Sequence, residues 1–177
     1  MRMLGIDPAS TNASGAVYQA LNTGRGAIVA VFDVPVVGED ADRRIDVIGL
    51  VDLIQTWGVT HATIERVWAM PMHHDDATKE FRGMSSSTAF KFGFGCGSLQ
   101  TTVRCCGIEP RMVVPQKWKK FFNLKGSDKE DSRQLALDLF PNMAEFLQLK
   151  KNHGRAEAML LARYGAHAHS QDAEIEP

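Results

Sequence analysis

The sequence has no hydrophobic run that approaches the roughly 18 residues of a membrane-spanning helix. It contains only three cysteines, Cys96, Cys105 and Cys106, an odd number with two of them adjacent. This pattern argues against a disulfide framework and is typical of a reducing compartment. The N-terminal segment reaches an acidic residue, Asp7, too early for a secretory signal. We therefore expect a soluble, cytoplasmic protein.

An excess of charge of either sign is also missing, because 20 Lys and Arg residues face 21 Asp and Glu residues, for a net charge of −1. Proteins that bind nucleic acids usually carry a basic excess, so the overall charge does not favour such a partner. Local charge decides phosphate contact, however, because the field of an exposed charge fades over roughly 8–10 Å. One segment is strongly basic, and it is either a DNA-binding surface or a solvated lysine-rich face: Lys117, Lys119, Lys120, Lys125, Lys129 and Arg133.

The composition is that of a globular protein, with 44% hydrophobic and 23% charged residues. A length of 177 residues corresponds to one domain and allows a core that needs no disulfide or structural metal. We expect this domain to span residues 1–165 and an acidic, disordered tail to follow at 166–177.

The spacing of apolar residues predicts a mixed α/β fold with a five-stranded sheet and helices on its faces. Three strands separated by short turns form an antiparallel meander, and two later strands follow helices. The predicted strands cover 3–7, 15–21, 26–34, 62–65 and 111–114. The predicted helices cover 42–57, 88–106, 115–121, a segment from a capping box at Ser127 and Glu130 to Phe140, and 154–164. The polar segment 71–87 has no periodicity and predicts a loop.

Two of the predicted strands end in a carboxylate, Asp7 and Glu65. Each alone is more often a strand-end acid that faces water. Together they suggest a site, because open α/β sheets place their sites at the carboxyl ends of strands. Neighbouring carboxylates repel each other, and a divalent cation is the natural compensation. His153 and Glu157, four residues apart on one helical face, are either further ligands or a solvent-facing pair.

Five segments resemble the RuvC-type Holliday junction resolvases, and most closely their phage and prophage branch. They cover nearly the whole chain in the family's order: 5–15, 62–68, 113–120, 127–141 and 153–165. The resemblance implies an RNase H-like fold with helices on both faces of the sheet. It also implies a homodimeric enzyme of DNA recombination and repair that cuts four-way junctions with Mg²⁺ or Mn²⁺.

The resemblance assigns catalysis and metal binding to Asp7, Glu65, His153 and Glu157. Family members often carry two aspartates in the last helix, three residues apart, and some have a histidine as the first. Here the spacing is four, and Asn152 stands where related sequences frequently have another acid. A second hypothesis is therefore an RNase H-like protein that binds branched DNA with weakened or lost cleavage.

The chemistry of phosphodiester hydrolysis fits this set of residues. The reaction needs an activated water, neutralised phosphate oxygens and help for the leaving oxygen, which two cations about 4 Å apart supply. Asp7 would bridge both ions, Glu65 would hold one, and Glu157 with His153 the other. An imidazole ligand favours Mn²⁺ over Mg²⁺, and His153 could instead orient or deprotonate the water. An RNA-directed nuclease is a further alternative, whereas 177 residues are too few for the two phosphate loops of an actin-like ATPase.

The resemblance also indicates how DNA and a second subunit are bound. Lys119 and Lys129 resemble phosphate-contacting lysines, and Lys117, Lys120 and Arg133 would extend the basic surface. Trp68 matches an aromatic position near the junction centre, where an indole could stack on an unpaired base, although it could also cap the core. A helical face with Phe90, Gly93 and Gly97 is either the dimer interface or part of the core.

Overall fold

In the computed structural model, the described residues are 1–9, 12–21, 26–68, 73–75, 80–124 and 129–175. Numbered along the chain, the strands are β1 (Arg2–Asp7), β2 (Ser14–Ala20), β3 (Gly26–Asp33), β4 (Val36–Val37), β5 (Arg44–Ile45), β6 (His61–Glu65), β7 (His73–Asp75), β8 (Glu80–Arg82) and β9 (Arg111–Val113). Five of them form the central sheet, in the order β3-β2-β1-β6-β9. β1, β2 and β3 pair antiparallel, and β1, β6 and β9 pair parallel, which confirms the predicted mixed sheet.

Helices cover both faces of the sheet, as expected. They are α1 (Val47–Thr56), α2 (Ser86–Cys105), α3 (Pro115–Phe121), α4 (Lys129–Leu139) and α5 (His153–Ile175). Alternate residues of a strand point to opposite faces, so Met3 joins the apolar cluster under α3, α4 and α5, whereas Leu4 joins the cluster under α1 and α2. The same alternation directs Asp7 towards the face that α5 covers.

The position of α5 depends on glycines in and opposite the sheet. A Cβ added to Gly5 would lie under 3.0 Å from the backbone of Ala158 and Ala162. A Cβ added to Gly165 would lie equally close to the side chain of Thr63. The helix therefore crosses the sheet in direct contact with the strands, and its first turn reaches the carboxyl end of β1.

Two predictions are wrong near the first two helices: the start of α1 and the absence of regular structure in segment 71–87. α1 begins at Val47 instead of residue 42, because Arg44–Ile45 pairs with Val36–Val37 as a short ribbon. Asp46 then caps the helix by accepting hydrogen bonds from the backbone N–H groups of Ile48 and Gly49, both at 3.1 Å. The predicted loop 71–87 contains a second ribbon, β7 with β8, and the first residues of α2.

The prediction of a disordered tail after residue 165 is wrong as far as Ile175, because α5 continues to that residue. Side chains from the sheet hold this extension. Arg111 forms an ion pair with Asp172, and the rings of His61 and His169 lie 4.1 Å apart. Acidic composition suggested disorder, but these contacts join residues more than 60 positions apart, which local composition does not register.

The other helix predictions agree with the structure within two residues at each end described. α4 ends at Leu139, before Phe140 and Pro141, whereas Ser127 of the predicted capping box lies outside the described residues. Within the described part of the chain, no helix is both long and apolar enough to cross a membrane.

Candidate active site

A cleft of about 960 Å³ lies at the carboxyl ends of β1 and β6, beside the first turn of α5. The four residues predicted to be catalytic line it together: Asp7, Glu65, His153 and Glu157. Asp7 and Glu65 end adjacent parallel strands whose register places Ile6 opposite Ile64. His153 and Glu157 lie on successive turns at the start of α5. The fold therefore brings the predicted acidic residues to one place from three distant segments.

Glu65 is buried, with 7% of its surface exposed. The indole Nε1 of Trp118 donates a hydrogen bond to its Oε1 at 2.8 Å. Burial raises the pKa of the Glu65 carboxyl, and the negative charge of Glu157 raises it further, while the Trp118 hydrogen bond and the Lys119 ammonium oppose the rise. The negative charges of Glu65 and Glu157 therefore repel each other across the cleft, and a bound cation would reduce this repulsion.

Glu157 is also buried, and two donors meet at its Oε1. The Ser132 hydroxyl donates to it at 3.3 Å, and the Lys119 ammonium lies 3.4 Å away. Lys119 also lies 5.2 Å from the centre of the Trp118 ring. The Lys119 ammonium thus compensates part of the negative charge of Glu65 and Glu157.

Asp7 lies at the end of β1, next to the first turn of α5. A Cβ added to Gly154 would lie 3.1 Å from Oδ2 of Asp7 and 3.0 Å from the hydroxyl oxygen of Ser14. Gly154 therefore lets the helix backbone come next to the carboxylate. On the other face of the sheet, burial and the negative charge of Asp7 raise the pKa of the Cys96 thiol to about 11. A raised pKa disfavours the thiolate form of Cys96.

The donor set of the cleft suits a hard divalent cation, because carboxylate oxygens are the ligands that Mg²⁺ and Mn²⁺ prefer. As the side chains stand, no three His, Cys, Asp or Glu residues within the described ranges are arranged to hold an ion. Oε1 of Glu65 is bonded to Trp118, and Oε1 of Glu157 faces Lys119 and Ser132. Metal ligation by Asp7, Glu65, His153 and Glu157 therefore stays a prediction, with a donor set that fits it.

The predicted DNA-contacting residues divide into two groups. Trp68 is 57% exposed, and the Arg66 guanidinium lies 5.3 Å from its ring centre, so Trp68 does not cap the core. Lys117 and Lys120 are exposed on α3. Arg133, by contrast, is paired with Glu130 and donates to the carbonyl oxygen of Leu147 at 2.7 Å. The side chains of Lys125 and Lys129 lie outside the described residues.

Two residues that contact the acidic side chains were missed by sequence reasoning, Trp118 and Ser132. Trp118 stands among lysines at the start of an apolar helix face and resembles an ordinary core residue. The available signal is its indole N–H, since a buried tryptophan needs an acceptor. Ser132 carries no such signal, because serine within a helix usually bonds its own backbone or water. Asn152, which stands where related sequences frequently have an acid, lines the same cleft.

The structure is similar to solved structures of Holliday junction resolvases, whereas no family model and no curated protein sequence matches the chain. Thermus thermophilus RuvC in complex with a Holliday junction substrate has a TM-score of 0.68 at 14% identity, with 97% of this chain and 96% of that chain covered. A second T. thermophilus RuvC structure gives 0.64 at 16% identity, with 97% of each chain covered. The yeast mitochondrial Holliday junction resolvase Ydc2 gives 0.59 at 12% identity, with 98% of this chain and 81% of that chain covered. The chain thus has the RuvC-like, RNase H-like fold, while the phage branch stays a prediction.

Proposed function

We propose that the protein is a structure-selective endonuclease that resolves four-way DNA junctions by paired, metal-dependent phosphodiester hydrolysis. One observation carries the proposal: Asp7, Glu65, His153 and Glu157 line a single cleft at the strand ends of a RuvC-like fold. Buried acidic groups that repel each other destabilise a protein, so their collection in one cleft indicates a function that uses them.

Divalent cations held in this cleft, Mg²⁺ or Mn²⁺, would supply water activation and charge neutralisation at the phosphate. Asp7 would be a ligand of both ions, because it ends β1 beside the first turn of α5 and lines the cleft with the other three residues. Glu65 would hold one ion, and Glu157 with His153 the other. Lys119, whose ammonium lies 3.4 Å from Oε1 of Glu157, would bind the phosphate of the strand to be cut.

A junction-binding protein without cleavage remains the second candidate, because Asn152 lines the cleft with a neutral amide where related sequences frequently have an acid. An Asn152→Asp substitution separates the two candidates. If the amide impairs the site, this variant cleaves faster than the unsubstituted protein. If the site is complete with His153 and Glu157, the substitution leaves the cleavage rate almost unchanged.

The proposal is tested with a synthetic four-way junction and a linear duplex of the same arm sequences, each incubated with Mg²⁺ or Mn²⁺ at one fixed salt concentration. Symmetric nicks in the junction and an intact duplex are expected. Glu145→Gln is the matched control, since this exposed glutamate lies outside the cleft and its loss should leave cleavage unchanged. Equal nicking of duplex and junction, or no nicking in either metal by the natural and the Asn152→Asp proteins, would contradict the nuclease proposal. An RNA hybrid cut in preference to the junction would favour the RNA-directed alternative.

We further propose that the exposed face of α2 forms a homodimer interface. Phe90 is 75% and Phe94 56% exposed, and a Cβ added to Gly93 or Gly97 would meet nothing within 4 Å. Such a flat apolar face permits close approach of a second copy, and a two-fold dimer presents two clefts to a two-fold junction.

The dimer proposal predicts that Phe90→Glu yields a monomer, because it buries two negative charges at the centre of a symmetric contact. Sedimentation at several protein concentrations measures the change. Paired nicking should fall more than single nicking, because each nick then needs a separate binding event. Phe90→Leu, which keeps the apolar surface, is the control. A natural protein that sediments as a monomer throughout would contradict the interface.

Stacking of Trp68 predicts a selective loss of junction binding in Trp68→Ala. A base stacked on an aromatic ring is worth about 1–3 kcal/mol, so junction affinity should fall roughly 5- to 150-fold. Duplex affinity should change little, because a paired base is not available to the indole. Gel-shift titrations without divalent metal measure both, with Trp68→Phe as the variant that retains a ring. An equal loss for duplex and junction would contradict stacking.

A further inference from the structure

Two buried hydrogen-bond donors lie behind the acidic residues of the cleft. Trp118 on α3 and Ser132 on α4 are both 0% exposed. Trp118 Nε1 donates to Oε1 of Glu65 at 2.8 Å, and Ser132 Oγ donates to Oε1 of Glu157 at 3.3 Å. In each carboxylate the donor bonds Oε1, so Oε2 is the oxygen that this hydrogen bond leaves to another partner.

Because the Trp118 and Ser132 side chains are fully buried, their positions are restricted by the packing around them. Trp118 packs in the same apolar cluster as Leu124 and Met159, so its ring has no room to turn. Its N–H is a donor only, and leaving it unpaired in the interior would destabilise the fold. A glutamate side chain has three rotatable bonds, and a hydrogen bond from an immobile donor removes most of that freedom. The Trp118 donor on α3 therefore limits the orientation of Glu65, and the Ser132 donor on α4, together with Lys119, limits that of Glu157.

We propose that Trp118 and Ser132 are positioning residues that hold Glu65 and Glu157 in the orientation from which their second oxygens ligate a divalent cation. This inference rests on the function proposed above. Donors that orient metal-binding carboxylates typically change metal affinity or activity by roughly 10- to 100-fold when removed. The two donors come from different helices, and Lys119 of α3 also lies 3.4 Å from Oε1 of Glu157.

The test compares Trp118→Phe, which keeps an aromatic ring without the N–H, and Ser132→Ala, which removes one oxygen atom. Matched controls are Trp57→Phe, at a tryptophan on the opposite side of the sheet, and Ser170→Ala, whose hydroxyl donates to the Ala166 carbonyl oxygen at 3.0 Å. Mn²⁺ binding without DNA is measured by calorimetric titration. Single-turnover cleavage is measured with a junction, and junction affinity without metal by gel shift.

We expect Mn²⁺ affinity to fall roughly 10- to 100-fold in Trp118→Phe and in Ser132→Ala, and cleavage at limiting Mn²⁺ to slow by a similar factor. Junction affinity without metal should stay within about twofold, which a general loss of folding would not allow. Thermal unfolding is recorded for all four variants. Because Ser132→Ala deletes a single atom, it keeps the test decisive if Trp118→Phe unfolds.

Wild-type Mn²⁺ affinity in both Trp118→Phe and Ser132→Ala, with wild-type cleavage, would overturn the inference while leaving the nuclease proposal intact. The inference would also be overturned if the losses of Mn²⁺ affinity and cleavage in these variants merely equalled those in Trp57→Phe and Ser170→Ala. Failure of the proposed function is a different observation, because there the natural protein itself neither binds Mn²⁺ nor cuts the junction.

Discussion

Asp7→Asn is expected to slow junction cleavage by on the order of 10³-fold, which corresponds to about 4 kcal/mol of transition-state stabilisation. Asp7 lies between the end of β1 and the first turn of α5, where its carboxylate faces the cleft shared with Glu65 and Glu157. An amide of the same shape keeps one ligand oxygen but loses the negative charge. In the proposed site an amide could not compensate two divalent cations, so the binding of both proposed ions would be weakened together.

Junction binding by Asp7→Asn should be retained or slightly stronger when divalent metal is absent. The reason is electrostatic, since the substitution removes a negative charge from a cleft that receives a polyanion. Cleavage and metal-free binding of the same labelled junction therefore move apart in this variant. A proportional loss of both would indicate unfolding instead of lost catalysis.

Asp33→Asn is the matched control, because Asp33 also ends a strand and lines the same cleft. Its carboxylate is committed to Arg155, with N–O distances of 2.6 and 2.8 Å, and this hydrogen-bonded pair lowers the pKa of Asp33. Asp33 is largely exposed, so the pair contributes at most about 1 kcal/mol to the free energy of unfolding. We expect Asp33→Asn to cut junctions at nearly the wild-type rate. Equal losses in Asp7→Asn and Asp33→Asn would contradict the specific role of Asp7.

The convergence of Asp7 and Glu65 could be predicted from the sequence because it depends on two local regularities. A strand alternates with period two, and parallel neighbours end at the same edge of a sheet, so acids that end two adjacent parallel strands must be close. The i, i+4 spacing of His153 and Glu157 likewise follows from helix geometry. That α5 lies next to β1 could not be predicted from these patterns, because it depends on the absence of a Cβ at Gly5 and Gly154.

The roles of the basic residues were harder to predict, because charge in a sequence does not reveal which partner it meets. Arg133 and Lys119 both belong to the basic segment, yet Arg133 is paired with Glu130 and the Leu147 carbonyl oxygen. Lys119 reaches Glu157 from another helix. The prediction that ended α5 near residue 164 failed for the same reason, since Asp172 is held by Arg111 on a distant strand.

The second large effect concerns stability, and it is expected in Gly5→Ala. A Cβ at residue 5 would lie under 3.0 Å from the Ala158 carbonyl oxygen and from the backbone nitrogen and Cα of Ala162. All three are backbone atoms of a buried helix, so no side-chain rotation relieves the overlap and α5 must move away from the sheet. Inserting a carbon atom into a packed core costs about 1–3 kcal/mol, and a rigid backbone neighbour places this case at about 3 kcal/mol. For a chain of this size that corresponds to a fall in Tm of roughly 6–12 °C.

Gly93→Ala is the contrasting variant, because Gly93 lies inside α2 and an added Cβ meets nothing within 4 Å. Alanine favours a helix interior by roughly 0.5–1 kcal/mol over glycine, so Gly93→Ala should be slightly more stable in urea unfolding. The measurement is repeated at several protein concentrations, since Gly93 belongs to the proposed dimer face.

Gly5→Ala should lower the free energy of unfolding, whereas Gly93→Ala should raise it. This difference in sign shows whether the loss in Gly5→Ala comes from contact with α5 or from replacing any glycine by alanine. Gly5→Ala has a second consequence at the cleft, because an outward shift of α5 carries His153 and Glu157 away from Asp7 and Glu65. Folded Gly5→Ala protein should therefore bind Mn²⁺ more weakly and cut junctions more slowly at temperatures well below its Tm. Wild-type stability and cleavage in this variant would show that α5 does not lie against β1, and the acidic cluster would lose its structural basis.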